Sequence, residues 1–148
     1  MAQRLSWLVV TLWAGALWMA GLTANILFKT LPDRQLAGNV AGQIFTFVSY
    51  IGLASGLYLL IYQWLVFGKT TFKQGYFWVV LAMLMLVIIG NFGIQTLLQN
   101  FKNQAQPLDV MQSIYASQFK MWHGVAGVIY LIECLLAIAM VLKVNRHK

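Results

Sequence analysis

The groups from which catalytic and metal centres are usually built are scarce in this 148-residue chain: three acidic residues, two histidines and one cysteine. The lone Cys134 excludes an intrachain disulfide and any cysteine cluster for zinc or iron–sulfur, and its place inside an apolar run marks it as a small buried hydrophobe. His123 and His147 fall at opposite ends of the last apolar run, so one chain cannot present both to a haem. Ser-His-Asp and Cys-His arrangements, glycine-rich phosphate loops and paired carboxylates are all absent. This argues against an enzyme and gives no reason to expect a cofactor. Charge is scarce too. With 9% charged and 61% hydrophobic residues, the chain lacks the ionic surface that a soluble domain of its length needs, and it reads as an all-α integral membrane protein.

The formal net charge of +7 comes from ten Lys and Arg scattered at the ends of apolar runs. Nothing in that pattern resembles a nucleic-acid patch, so the expected partner of these cations is the lipid headgroup layer of the bilayer. Four runs have the length that a bilayer demands, about 20 residues or a little more. The first, residues 5–28, follows Arg4 in the manner of a signal peptide, but it is too long and too rich in tryptophan (Trp7, Trp13, Trp18) for one and is expected to stay uncleaved. The second covers residues 33–67; Pro32 and Asp33 suit the first turn of a helix, and Tyr58, Tyr62 and Trp64 form an aromatic belt near its far end. A tight basic turn, residues 68–75, leads to a third span over 76–98. From Pro107 onward Leu108, Met111, Tyr115, Phe119 and Trp122 keep helical spacing, which predicts an interfacial helix continuing into the last span, 108–143.

The expected fold is a single domain over residues 1–148, with four transmembrane helices as two antiparallel hairpins, a four-helix bundle. The second and fourth helices extend beyond the membrane on the non-cytoplasmic side. Both hairpins share one plan, an apolar span, an aromatic–lysine pair (Phe28-Lys29, Phe101-Lys102), a proline and an aspartate, which is compatible with an ancient duplication. Arg4, Lys69, Lys73, Lys143, Arg146 and Lys148 lie on one side, against Lys29, Arg34, Lys102 and Lys120 on the other. This bias puts both termini in the cytoplasm.

Gly38, Gly42, Phe45, Ser49, Gly52 and Gly56 recur at steps of four, three, four, three and four, so they share one face of the second helix. Glycine costs a helix about 1 kcal/mol against alanine in water. In lipid, the small-xxx-small spacing of Gly38/Gly42 and Gly52/Gly56 instead lets helix backbones touch, and these four glycines are the expected helix-packing residues.

The polar residues of the spans converge by depth. Asn25, Asn91, Gln95 and His123, with Trp122 beside the last, all come out in the leaflet opposite the termini, where a small ligand pocket centred on His123 is geometrically possible. The plainer reading is that these side chains hydrogen-bond between helices, each worth about 0.6 kcal/mol. Glu133 sits near the centre of the last span beside Ala126, Tyr130 and Ala137, where an ionised acid costs about 2.5–3.5 kcal/mol. It should therefore face the other helices, either to carry a proton or bind a cation, or as a protonated acid donating a hydrogen bond. Met121, His123 and the nearby Met111 are soft enough for Cu(I), but methionine is an ordinary membrane core residue, and no metal site is assigned.

Residues 27–45 (LFKTLPDRQLAGNVAGQIF) and 119–124 (FKMWHG) resemble bacterial members of the transmembrane protein 205-like family, a domain of unknown function, and the similarity extends over nearly the whole chain. The resemblance implies a four-helix protein of the bacterial inner membrane and carries over Pro32, Ala37, Gly38, Gly42, Phe45 and His123. It implies no reaction. Two function classes follow: a module that binds a small ligand, ion or lipid or assists transport, which a homo-oligomer holding a small molecule would favour, and a structural or assembly partner that packs its glycine face against another membrane protein in a larger complex.

Overall fold

Four helical units are each long and apolar enough to cross a membrane: Gln3–Thr30 (28 residues), Arg34–Lys73 (40), Gly75–Ala105 (31) and Ala116–Val144 (29). They belong to a computed structural model that describes residues 2–144, and every regular element among the described residues is helical. Arg146, His147 and Lys148, which entered the charge count and the haem argument, lie outside the described residues. The elements are α1 (Ala2–Thr30), α2 (Arg34–Phe67), a 3-10 turn (Gly68–Lys73), α3 (Gly75–Ile88), a π-helical stretch (Ile89–Gln95), α4 (Thr96–Ala105), a short 3-10 turn (Val110–Gln112) and α5 (Ala116–Val144).

Local chemistry explains where these boundaries depart from expectation. Asp33 is the N-cap of α2 rather than part of its first turn: its Oδ1 accepts from the Gln35 and Leu36 amides at 2.8 and 3.1 Å. The last helix does not begin near residue 108. Asp109 Oδ1 accepts from the Met111 amide at 2.8 Å, while Ser113 Oγ donates to the Val110 carbonyl and accepts from the Tyr115 amide. These side chains take the hydrogen bonds that a helix would need, so residues 108–115 form a capped turn and α5 starts at Ala116. The third unit is longer than expected and not uniform. Between Ile89 and Gln95, where Gly90 and Gly93 leave the backbone free of side-chain bulk, the ladder widens to the π form.

α1 and α3 each pack against both α2 and α5. Across the centre, α2 and α5 meet through the rings of Phe45 and Tyr130, edge to face at 5.2 Å. Trp13 of α1 is wholly buried, with Leu59, Val80, Met83, Ala137 and Met140 around the same core. It is seated on the glycine face of α2. A Cβ added at Gly52 would stand 2.8 Å from Trp13 Nε1 and 3.2 Å from Val87 Cγ2; one at Gly56 would stand 2.9 Å from Leu84 Cδ1 and 3.4 Å from the Trp13 ring. At Gly52 and Gly56 what fills the concavity is side chains of α1 and α3. Gly38 is looser, with Phe28 at 3.7 Å.

α5 is tied to α1 at one point. The Tyr130 hydroxyl donates to the Leu17 carbonyl at 2.7 Å, and Gly21 leaves the space in which that hydroxyl sits. Outward, Leu8 of α1, Leu65 of α2 and Leu131 and Leu142 of α5 are exposed, apolar surface of the kind that acyl chains cover.

Glycine position decides the outcome of substitution. Gly52→Ala should lower the melting temperature in detergent, by the equivalent of about 1–3 kcal/mol for an overpacked contact. Gly124→Ala meets nothing within 4 Å and should be neutral or stabilising by up to about 1 kcal/mol. Circular-dichroism melts of the two variants beside the parent test this; equal melting of all three would place Gly52 outside any close contact.

Candidate functional site

In the first half of α2, Asn39, Gln43, Thr46 and Tyr50 succeed one another at steps of four, three and four and so fall on one helix face. Opposite them, the π stretch and α4 present Asn91, Gln95, Thr96, Gln99, Asn100 and Lys102. Between the two walls runs an open groove of about 780 Å³, with Gly42 in its floor and Phe47, Tyr50 and Phe92 along its apolar part. The π turn contributes directly, because Asn91 and Gln95 lie within it and it touches α2 as well as α5. Single π turns are frequent at functional sites.

The polar groups hold the walls in register. Lys102 Nζ donates to Asn39 Oδ1 at 2.8 Å, joining α4 to α2 at one end of the groove. The Gln95 amide lies over Gly42, its Nε2 only 2.7 Å from the place a Cβ would take, so glycine is what lets this side chain cross the floor. The Lys102 ammonium also stands 5.9 Å from the centroid of the Phe119 ring on α5. The lining contains no carboxylate, imidazole or thiol. Its chemistry is that of amide donors and acceptors, hydroxyls and one positive charge, suited to recognition rather than to acid–base work.

The residues singled out from sequence divide. Asn91 and Gln95 share the groove. His123, expected to meet them, is exposed on α5 with its ring stacked on Phe119 at 5.9 Å and 11°, and it does not line the groove. Helical phase is not the cause: Tyr130 and Cys134, on the same stripe, are half-buried and buried. Toward the start of α5 that stripe loses its cover, and Gly127 is exposed too with nothing within 4 Å of it. Trp122, half-buried, and Asn25, exposed, likewise stand outside the groove. Glu133 is buried, as an acid at that depth must be, beside Cys134 and Ala137 of its own helix and apart from the groove.

Asn39, Gln43, Thr46, Gln99, Asn100 and Lys102 were not anticipated. A signal existed: Asn39, Gln43 and Thr46 adjoin the glycine face at helical spacing. Gln99, Asn100 and Lys102 lie beyond residue 98, where the third span is expected to end, whereas α4 continues to Ala105.

A family model described as "Domain of unknown function (DUF4149)" matches residues 8–107, a stretch that includes both walls of the groove and excludes α5. No curated protein and no solved structure matches the chain.

The link between the walls can be tested by a double-mutant cycle in detergent. Asn39→Ala and Lys102→Ala should each destabilise, and the double variant should fall short of the sum by about 0.5–1.5 kcal/mol, the range of a direct contact. Strict additivity would mean that the two side chains do not interact.

Proposed function

We propose, on the premise that the chain belongs to the DUF4149 family, that it is a membrane module whose groove holds a small amphiphilic molecule. The family description supplies no activity, so the reading rests on the site. The observation that carries it is the pair of polar stripes facing one another on helices otherwise apolar enough to lie in lipid. Amides within a span, as Asn91 and Gln95 are, are expensive and are retained where they line a cavity or meet a ligand. The groove's two chemistries set the orientation of an occupant. A headgroup rich in hydrogen-bond acceptors lies on the amides beside Lys102, and an apolar portion runs along Phe47, Tyr50 and Phe92. Transport of that molecule is an extension of the same reading.

We set aside the alternative of an assembly partner working through the glycine face. Gly42, Gly52 and Gly56 are already filled by Gln95, Trp13, Val87 and Leu84 of the same chain. Our reading further takes the four helices as a bundle of two antiparallel hairpins. The contacts of Phe28 with Gly38 and of Trp13 with Gly52 and Gly56 support this for α1 and α2. It also places the chain in a bacterial inner membrane as a relative of the transmembrane protein 205-like family, with both termini cytoplasmic on the strength of the flanking Lys and Arg.

Native mass spectra of the full chain released from lipid nanodiscs test the site. The parent should retain one amphiphile per chain, and Asn91→Leu with Gln95→Leu should lose it while Gly124→Ala keeps it. A parent that appears only as bare chains, or only as ligand-free multimers, would oppose the binding reading. For orientation, an alkaline phosphatase fused after Lys148 should be inactive; activity there reverses the topology.

A further inference from the structure

We propose that the molecule has a second site, far from the groove, which takes a small neutral molecule presenting a hydrogen-bond donor and acceptor side by side, the pattern of a primary amide or a protonated carboxylic acid. Its centre is Gln63 of α2. From Thr46 in the groove to Gln63 is 17 residues of helix, about 25 Å along the axis at 1.5 Å per residue. A cavity of about 240 Å³ opens there, walled by Gln63, Ser6, Trp7, Tyr62 and Leu59, with Val144 of α5 also reaching it.

Gln63 is 2% exposed, and neither Nε2 nor Oε1 has a hydrogen-bond partner among the described residues. The Gln63 carbonyl accepts from the buried Thr71 hydroxyl at 3.0 Å, which ties the backbone that carries this side chain to the 3-10 turn. A buried amide left unmatched gives up its hydration with nothing in return, a cost that a leucine at the same place would not carry. An amide offers two N–H donors and two acceptor lone pairs in one plane, so its best single partner pairs with both atoms at once. Among the described residues no Lys, Arg, Asp, Glu or His lines the cavity, which favours a neutral partner over an ion. The volume corresponds to about eight waters at roughly 30 Å³ each, room for a molecule of a few heavy atoms. Trp7 and Leu59 are not the only apolar surface; Val66 and Phe67 extend it for a short hydrocarbon body.

The test uses the full chain in detergent micelles with glutamine side chains labelled by ¹⁵N, and propionamide as the probe. The Gln63 side-chain resonance should move saturably with propionamide and the melting temperature should rise with it. Gln63→Leu, which also assigns the resonance, should lose the thermal shift; Gln63→Met serves for assignment if the leucine variant fails to fold. Propionate at pH 8, ionised, should move the resonance at least tenfold more weakly. The variant carrying Asn91→Leu and Gln95→Leu should titrate like the parent, which separates this site from the groove. A Gln63 resonance that never saturates and shows contact with water alone would make the cavity a hydration site and overturn the proposal. Equal response to ionised propionate would overturn the neutral specificity and point to the nearby Lys143, whose Nζ lies 3.2 Å from the Cβ position of Gly75.

Discussion

The seating of Trp13 on Gly52 and Gly56 is the contact on which the rest of the structure depends. Lipid tails are as apolar as leucine, so helices in a membrane gain little from hiding apolar surface from one another and must gain from close van der Waals contact instead. An indole is the largest side chain that can supply such contact, and only a strip without side chains can receive it at 2.8–3.4 Å from where Cβ atoms would stand. Val87 and Leu84 of α3 use the same two glycines. One strip on α2 thereby sets the approach of both neighbours, and α5 joins through Tyr130, whose hydroxyl reaches the Leu17 carbonyl over Gly21.

The groove follows from that arrangement. With α3 held to α2 at Leu84 and Val87, the chain beyond it is led past the first half of α2, where Gly42 again removes a side chain and Gln95 crosses. The π turn and α4 then bring Lys102 to Asn39. A largely apolar core of Trp13, Leu59, Met83 and Met140 occupies the middle. Polar space is left toward the two ends, as the amide-lined groove and as the smaller cavity at Gln63. Such a division is what a low-dielectric interior requires: unpaired amides are tolerated where something polar can reach them.

Much of the fold was legible in the chain because its signals are local. Run length and the scarcity of charge give the four membrane-length units, the steps of three and four give the glycine face, and depth alone places Glu133 among buried residues. Asn91 and Gln95 were legible as a pair for the same reason, being one turn apart on one strand of helix. His123 was not, because its exposure depends on what other helices cover. Its stripe has the right phase, and α5 simply lacks a neighbour there while Phe119 takes up the imidazole face.

What the sequence by itself determined is therefore the material of each helix: its length, its apolar surface, its small-residue face and the polar residues it carries. Only the tertiary structure decided which of these meet. It seated Trp13 on the glycine face, chose Asn39 over His123 as company for the groove, and carried the third unit on through a π turn to Lys102. The physical reason is range. Propensity, capping and periodicity act within a few residues of chain, whereas Trp13 and Gly52, or Asn39 and Lys102, are brought together by the shape of surfaces far apart in sequence.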